Sequence, residues 1–321
     1  MTSLHPLKAR FPLVSLPPRL LPCPRIGSPS SAFTKRIYYY IHEYVLLPFS
    51  EWYMKHFKIA SPMGIFQLPF GLILKRHDRV HEHEGLAMNL ARAMGVPAPR
   101  FVSFGSLGVP SACPSLLMTR LPGYPLDWFD PGQVDMDVVA ADLTRILARM
   151  RSFASPHGAA VCGVTGREIR GPMIPGSPLA PFADEDAFNA RLRAFVTNVR
   201  MELITEGVKP ENMDAALGDH RARAETVEKC LIAQAPHAIV FTHGDLNMHN
   251  IMIGPDGHVC GIIDWEGGAW LPEYWEFSIT AVMPTLPWGQ FMDKKVSGGV
   301  YEQELKGHQA LFMYVANSFS Y

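Results

Sequence analysis

The chain has 321 residues, is 48% hydrophobic, and sets 29 Lys and Arg against 30 Asp and Glu for a net charge of -1. A chain of this length and apolar content can bury a large core and divide into two lobes, which excludes a small disulfide scaffold. The near-neutral balance gives no reason to expect nucleic acid as a partner, since that calls for a basic patch or domain.

The first segment differs in kind. Residues 1–42 carry Lys8, Arg10, Arg19, Arg25, Lys35 and Arg36 but no acid, and prolines recur from Pro6 to Pro29. Pro17, Pro18, Pro22 and Pro24 oppose the amphipathic helix that a mitochondrial presequence needs, so residues 1–31 are expected to form a disordered extension, dispensable for folding. Residues 32–58 have helical tendency, with Ile37, Tyr40, Ile41, Val45 and Leu46 along them and a break expected at Pro48. No apolar run approaches the roughly 20 residues needed to span a bilayer, so neither a membrane anchor nor a membrane partner is expected. Cys23, Cys113, Cys162, Cys230 and Cys260 lack any CxxC spacing and suggest neither disulfides nor a zinc site; a reducing, cytoplasmic setting is the expectation.

Residues 71–75 read as a strand ending at Lys75. Residues 84–94 read as a helix with Leu86, Leu90, Ala93 and Met94 on one stripe, stopped by Gly95 and Pro97. His81 and His83, two apart, would face apart at a helix start and are expected at the solvated surface. Residues 116–119 form a further apolar strand, followed by a turn-rich stretch to Pro125. The helix expected at residues 134–153 presents Val138, Val139, Leu143, Ile146, Leu147 and Met150 as core. Residues 155–185 read as a long Gly- and Pro-rich loop, and residues 187–203 and 213–233 as helices.

The densest signal comes next. Residues 238–241 are an apolar run that delivers His243, Gly244 and Asp245 to a strand end. Residues 251–253 and 259–263 are two more apolar runs, separated by Gly254-Pro-Asp-Gly257, which is strong turn chemistry for a hairpin. Asn250 precedes the first strand and Asp264 follows the second, so both side chains reach the open end, close enough to share a hard cation. Each of these residues alone would suit a loop cap or a strand end. Their joint spacing favours a site.

At these residues the chain resembles the aminoglycoside phosphotransferase and choline kinase-like family, particularly its fungal-type members. The resemblance covers roughly residues 68–277. It is carried by Leu68-Pro-Phe-Gly-Leu-Ile-Leu-Lys75, by Glu84 through Gly95-Val-Pro-Ala-Pro99, by Leu117-Met-Thr-Arg-Leu-Pro-Gly123, by Phe241-Thr-His-Gly-Asp-Leu-Asn-Met-His-Asn250, by Ile262-Ile-Asp-Trp-Glu266, and by Leu271-Pro-Glu-Tyr-Trp-Glu276. It implies an α+β, bilobal protein-kinase-like fold: a small, mainly antiparallel β N-terminal lobe at residues 32–120 including a preceding helix, and a larger, mainly helical catalytic lobe at residues 121–321. It also implies an ATP- and Mg²⁺-dependent phosphotransferase, with Asp245 as catalytic base, Asn250 and Asp264 on the metal, and Lys75 on the phosphates aligned by Glu84. Glu82 lies close enough to be that partner instead. Met118 falls in the stretch that resembles the hinge facing the adenine. His243 is expected to orient the loop, and His249 is left unassigned. The GxGxxG loop of protein kinases is absent, only Gly64 and Gly71 preceding Lys75.

A small-molecule acceptor is favoured over a protein. Asn247 stands where protein kinases place a Lys, and only a short link separates Glu266 from Glu273. Glu266, Glu273 and Glu276 are candidates to line a site for a cationic amine or amino sugar; no protein partner is evident. Two alternatives stand beside this reading, a nucleotide-binding pseudokinase and a non-catalytic interaction protein that retains the fold.

Overall fold

A computed structural model describes residues 20–197, 208–232, 236–283 and 285–315. The N-terminal lobe is a four-stranded antiparallel sheet, ordered β1-β2-β4-β3, from Ile65–Leu68, Leu72–Arg76, Ser115–Thr119 and Phe101–Gly105. Its two faces are used differently, because side chains alternate along a strand. Leu74 and Leu117 join Leu68 in a small core against Leu46 and Leu47 of the N-terminal helix. Lys75, next to Leu74, points the other way, towards helix α3, Glu82–Ala93.

The N-terminal helix is longer and less broken than its sequence suggests. Ala32–Ile41 (α1) passes through a π-helical turn, His42–Leu46, directly into Leu47–Phe57 (α2). Pro48 does not end it: the proline lies in the first turn of α2, where the widened turn before it accommodates the missing N–H. Residues 20–31, expected to be disordered, are ordered instead. The Leu21 N–H donates to the Ser152 carbonyl (2.8 Å), the Ala154 N–H donates to Leu21 (2.9 Å), and the Ser30 N–H reaches Glu82 (2.8 Å). Cys23 and Ile26 pack on the main core between those points. This strap therefore runs from the larger lobe to α3. Residues 1–19, the rest of that expectation, lie outside the described residues.

The larger lobe is built on α4, Met136–Arg151, capped by Asp135, whose side chain accepts from the Asp137 and Val138 N–H groups. Its buried stripe of Val139, Leu143, Ile146, Leu147 and Met150 is the expected one except at Val138, which is only partly buried. The helix α5, Glu185–Thr197, and the helix Met213–Cys230 answer the expected pair; the ends of both expected helices, beyond residues 197 and 232, lie outside the described residues. Two three-stranded sheets carry the motif segments. One is β6-β10-β7, from Cys162–Gly163, Ala269–Pro272 and Ile239–Thr242; the other is β5-β8-β9, from Tyr124–Pro125, Ile251–Ile253 and Val259–Ile262. The β8–β9 hairpin closes at the expected turn, with Gly257 at φ +79°, a conformation that glycine adopts without cost. Asp142 of α4 binds this hairpin through His258 Nδ1 and the Val259 N–H, each at 2.9 Å. The architecture is the α+β, two-lobed one expected.

Candidate active site

Strand β2 delivers Lys75 to the cleft with only 5% of its surface exposed. Its ammonium donates to both oxygens of Glu84, at 3.0 and 3.1 Å, and to Asp264 Oδ1 at 2.7 Å. Burial alone would depress the Lys75 pKa, but Glu84 and Asp264 more than offset it and hold the ammonium protonated. Glu84 shifts upward because burial and the neighbouring Asp264 outweigh the lysine, whereas in Asp264 the lysine outweighs burial and the shift is downward. Glu84, not Glu82, is the partner of Lys75. Glu82 turns instead to Lys35 of α1 at 2.8 Å and to the strap at Ser30.

Asp264 closes β9 in the left-handed region, φ 60° and ψ 66°, which aspartate tolerates better than most residues. The next residue fixes that turn. Trp265 is fully buried, donates from its indole N–H to the Ile262 carbonyl (2.9 Å), and stacks on Phe241 at 5.6 Å. Glu266 then faces the cleft with no hydrogen-bond partner among the described residues; burial first, and Asp264 second, raise its pKa. Beside Glu84 and Glu266 opens a cavity of about 1140 Å³, walled also by Phe66, Arg79, Arg170 and Pro178.

Asp245 emerges from β7 one turn beyond Thr242. Asn247 Nδ2 donates to its Oδ1 (2.5 Å), and Asn250 Nδ2 donates to its backbone carbonyl (2.8 Å) and to its Oδ2 (3.1 Å). These contacts commit the amide nitrogen of Asn250 to Asp245 and leave its Oδ1 as a free acceptor. Asn250 is tied to the Asp264 side as well, since its backbone carbonyl accepts from the Ile263 N–H (2.9 Å). The oxygens of Asn250 and Asp264 thus suit a hard cation that completes its shell with phosphate and water. Among the described residues no group of three or more His, Cys, Asp or Glu is placed to hold a metal by itself.

The loop around Asp245 is held from below. His243 is fully buried; its Nδ1 accepts from the Asp245 N–H (3.2 Å), so Nε2 carries the proton and donates to the Ile263 carbonyl (2.9 Å). Glu276 accepts the N–H groups of His243 (2.7 Å) and Gly244 (3.2 Å). Gly244 sits at φ +82°, and a Cβ there would lie 2.7 Å from the Gly267 carbonyl oxygen, so glycine is required where the two loops touch. Trp288 donates to the Leu246 carbonyl at 3.0 Å.

Several sequence expectations change here. Glu276, a candidate for the acceptor site, is 1% exposed and caps the Asp245 loop. Glu273 lies beyond β10, at the end paired with Ile239 and opposite the one beside Thr242, so it too leaves the acceptor site. Glu266 alone of the three faces the cleft. His83 is not on the surface: it is buried, its Nε2 meets the Gly268 carbonyl at 2.5 Å, and burial pushes its pKa down to about 4. His81 is half-buried and caps α3 by accepting from the His83 N–H (3.1 Å). Consecutive residues of α3 therefore grip the Asp264 loop, Glu84 through Lys75 and His83 through Gly268. Met118 is buried in β4 between Ile73 and Phe101, and His249 is exposed.

The fold agrees with comparison to known proteins. No curated protein matches the chain. Among solved structures, aminoglycoside phosphotransferase APH(4)-Ia superposes with a TM-score of 0.55 at 11% identity, covering 84% of this chain and 88% of that one. A thermostable mutant of it, in a ternary complex with ADP and hygromycin B, gives 0.52 at 9% identity, covering 85% and 99%. At such identities the likeness speaks for the fold. The model of the phosphotransferase enzyme family matches residues 72–306, from the Lys75 strand to the last described helix, and the chain belongs to that family.

Proposed function

We propose that the protein transfers the γ-phosphoryl group of ATP to a hydroxyl of a small molecule. The observation that carries this reading is the Lys75 ammonium, held between Glu84 and an Asp264 that lies 189 residues away in sequence. Phosphoryl transfer asks the protein mainly for positioning and for neutralisation of charge. Lys75 would bind the nucleotide phosphates, with Glu84 fixing its direction, and Met118 would face the adenine from the hinge strand. Asn250 and Asp264 would hold Mg²⁺, which when bound screens the phosphate charge. Asp245, its carboxylate steered by Asn247 and Asn250, would accept the proton of the acceptor hydroxyl. The APH(4)-Ia complex with ADP and hygromycin B supports a nucleotide beside a small molecule. A cationic group on the acceptor would face Glu266, the unpaired carboxylate at the cavity wall.

A second reading, a nucleotide-binding protein without turnover, is favoured by one feature. The turn before the Lys75 strand is Pro69-Phe70-Gly71, with Phe70 97% exposed at its tip, not a glycine-rich phosphate cover. A thermal-shift titration with ATP, with and without Mg²⁺, followed by ATP consumption over a panel of hydroxylated small molecules, separates the two. Mg²⁺-dependent stabilisation with an accepted substrate supports the enzyme. Stabilisation without consumption across aminoglycosides, macrolides and amino alcohols supports the second reading.

A further inference from the structure

The outward face of the α1–α2 rod carries apolar side chains from end to end. Phe33, Tyr40, Tyr44, Phe49, Trp52 and Phe57 are 42–73% exposed, and their neighbours Ile37, Ile41 and Val45 are exposed with them. Tyr40 stacks on Tyr44 at 6.0 Å and Phe49 on Trp52 at 5.7 Å, so the stripe holds one stacked pair in each half of the rod. Over 26 helical residues, 32–57, it is on the order of 40 Å long. Soluble surfaces rarely leave a contiguous apolar patch of this kind uncovered.

The stripe is not a rod docked in the wrong rotation. Its inner face is fixed by polar partners that no other rotation would satisfy. Buried His42 bridges the hydroxyls of Ser115 (2.8 Å) and Ser103 (2.9 Å), Glu43 forms a two-bond pair with Arg76, and the Ser50 hydroxyl donates to the Gln67 carbonyl (2.6 Å). At Gly105 a Cβ would lie 2.7 Å from the Tyr39 backbone, so the rod is also seated tightly.

We infer that this face docks on an anionic lipid bilayer, with the rod lying flat in the headgroup region. Charge selects this occupant. Arg36, Lys55 and Lys58 are exposed along the rod, Glu43 is consumed by Arg76, and Glu51 is the one exposed acid between residues 32 and 58. The chain up to residue 42 adds Lys8, Arg10, Arg19 and Arg25 and no acid at all. Exposed Trp and Tyr beside Lys and Arg suit the apolar-to-polar boundary of a bilayer. A second copy of the chain would bring the same cations together. The expectation of no membrane partner rested on the lack of a spanning segment, and among the described residues no helix is long and apolar enough to cross a membrane; docking on the surface needs none. Because the rod covers the Leu74 face of the sheet and Lys75 lies on the other, the cleft stays open when the stripe is covered.

The test is sedimentation of the full chain with phosphatidylcholine vesicles, with and without phosphatidylserine, at low and high salt. Binding should require phosphatidylserine, weaken with salt, and be lost in Tyr44→Ser/Trp52→Ser with its melting temperature unchanged. Arg36→Glu and Lys55→Glu should each weaken it by roughly fivefold or more. Trp52 and Trp128 are exposed tryptophans, so a blue shift of emission on vesicle addition that Trp52→Phe abolishes places the stripe in the interface. Three outcomes would overturn the inference: no binding to either vesicle, a concentration-dependent dimer that Tyr44→Ser/Trp52→Ser dissolves, or binding that survives those substitutions and disappears on deleting residues 1–19.

Discussion

Replacing Lys75 with Met removes the cation of a buried cluster and leaves two carboxylates behind, Glu84 and the partly exposed Asp264. The Glu84 side chain is 1% exposed and its two oxygens are both engaged by the lysine, so Lys75→Met leaves a carboxylate without a counter-charge. Breaking a buried pair in this way costs about 3–5 kcal/mol, whereas removing both charges is close to neutral. At roughly 2 °C per kcal/mol for a chain of this size, Lys75→Met should lower the melting temperature by about 6–10 °C, and Lys75→Met/Glu84→Gln should recover the part due to Glu84, since the Asp264 side chain reaches solvent. The two variants should also separate by pH. Burial already raises the Glu84 pKa above 4.5, and loss of the lysine raises it further, so the folded variant holds a proton that the unfolded chain releases. Stability of Lys75→Met therefore falls as pH rises through that raised pKa. Its deficit against the double variant should be widest near pH 8 and narrow towards pH 5. Thermal melts across that range read this directly. Equal melting of the two variants at every pH would refute the buried cluster.

Three further outcomes follow from the same geometry. Burial holds the pKa of His42 and His83 down to about 4, so between there and 6.5 the unfolded chain binds protons that the folded one does not; each histidine's contribution should fall with acidification across that window, by up to about 1.4 kcal/mol per pH unit against the opposite contribution of the raised carboxylates, and a His42→Gln variant whose melting temperature keeps the wild-type slope from pH 6.5 to 4.5 would contradict it. Deleting residues 1–19 should leave the melt unchanged, whereas deleting residues 1–31 removes the strap, the Ser30 contact to Glu82 and the packed Cys23 and Ile26, and should lower it by several degrees; equal melts for the two truncations would mean that the strap contributes nothing. Asp264→Ala should abolish the Mg²⁺ increment in ATP binding, because a carboxylate brings charge that the amide of Asn250 lacks, and an unchanged increment in isothermal titration would remove Asp264 from the metal.

The elements that sequence reveals well are those whose signal is local. The β7 strand, the Asp245 loop, the β8–β9 hairpin and Asp264 follow one another within 26 residues, and Gly254-Pro-Asp-Gly257 marks its own turn. The choice between Glu82 and Glu84 was not legible. Both stand in the first turn of α3, and what sorts them is the distant Lys35, which takes one, and Lys75, which takes the other. His83 was hidden by its charged neighbours, although residues 82–88 of α3 are buried all round, because the helix is enclosed by the sheet, the strap and the Asp264 loop. Glu276 did leave a trace in its setting: it lies among Trp275, Phe277 and Ile279, and a lone carboxylate in so apolar a helix has to find buried donors. Residues 20–31 misled because proline-rich chain lacks periodicity. Order there comes from a few backbone hydrogen bonds and two packed side chains, which no periodic pattern announces.

The central claim is that Asp245 takes the acceptor proton during transfer from ATP. Asp245→Asn preserves size and keeps one acceptor oxygen for Asn247 or Asn250, while removing the charge that receives the proton. The most direct measurement is ATP-dependent phosphorylation of an accepted small molecule by the wild type and this variant, with ATP affinity determined in parallel. The account predicts unchanged ATP affinity and turnover reduced by roughly 10² to 10⁴. Wild-type turnover in Asp245→Asn, or phosphate delivered by the wild type to protein and to no small molecule, would contradict it.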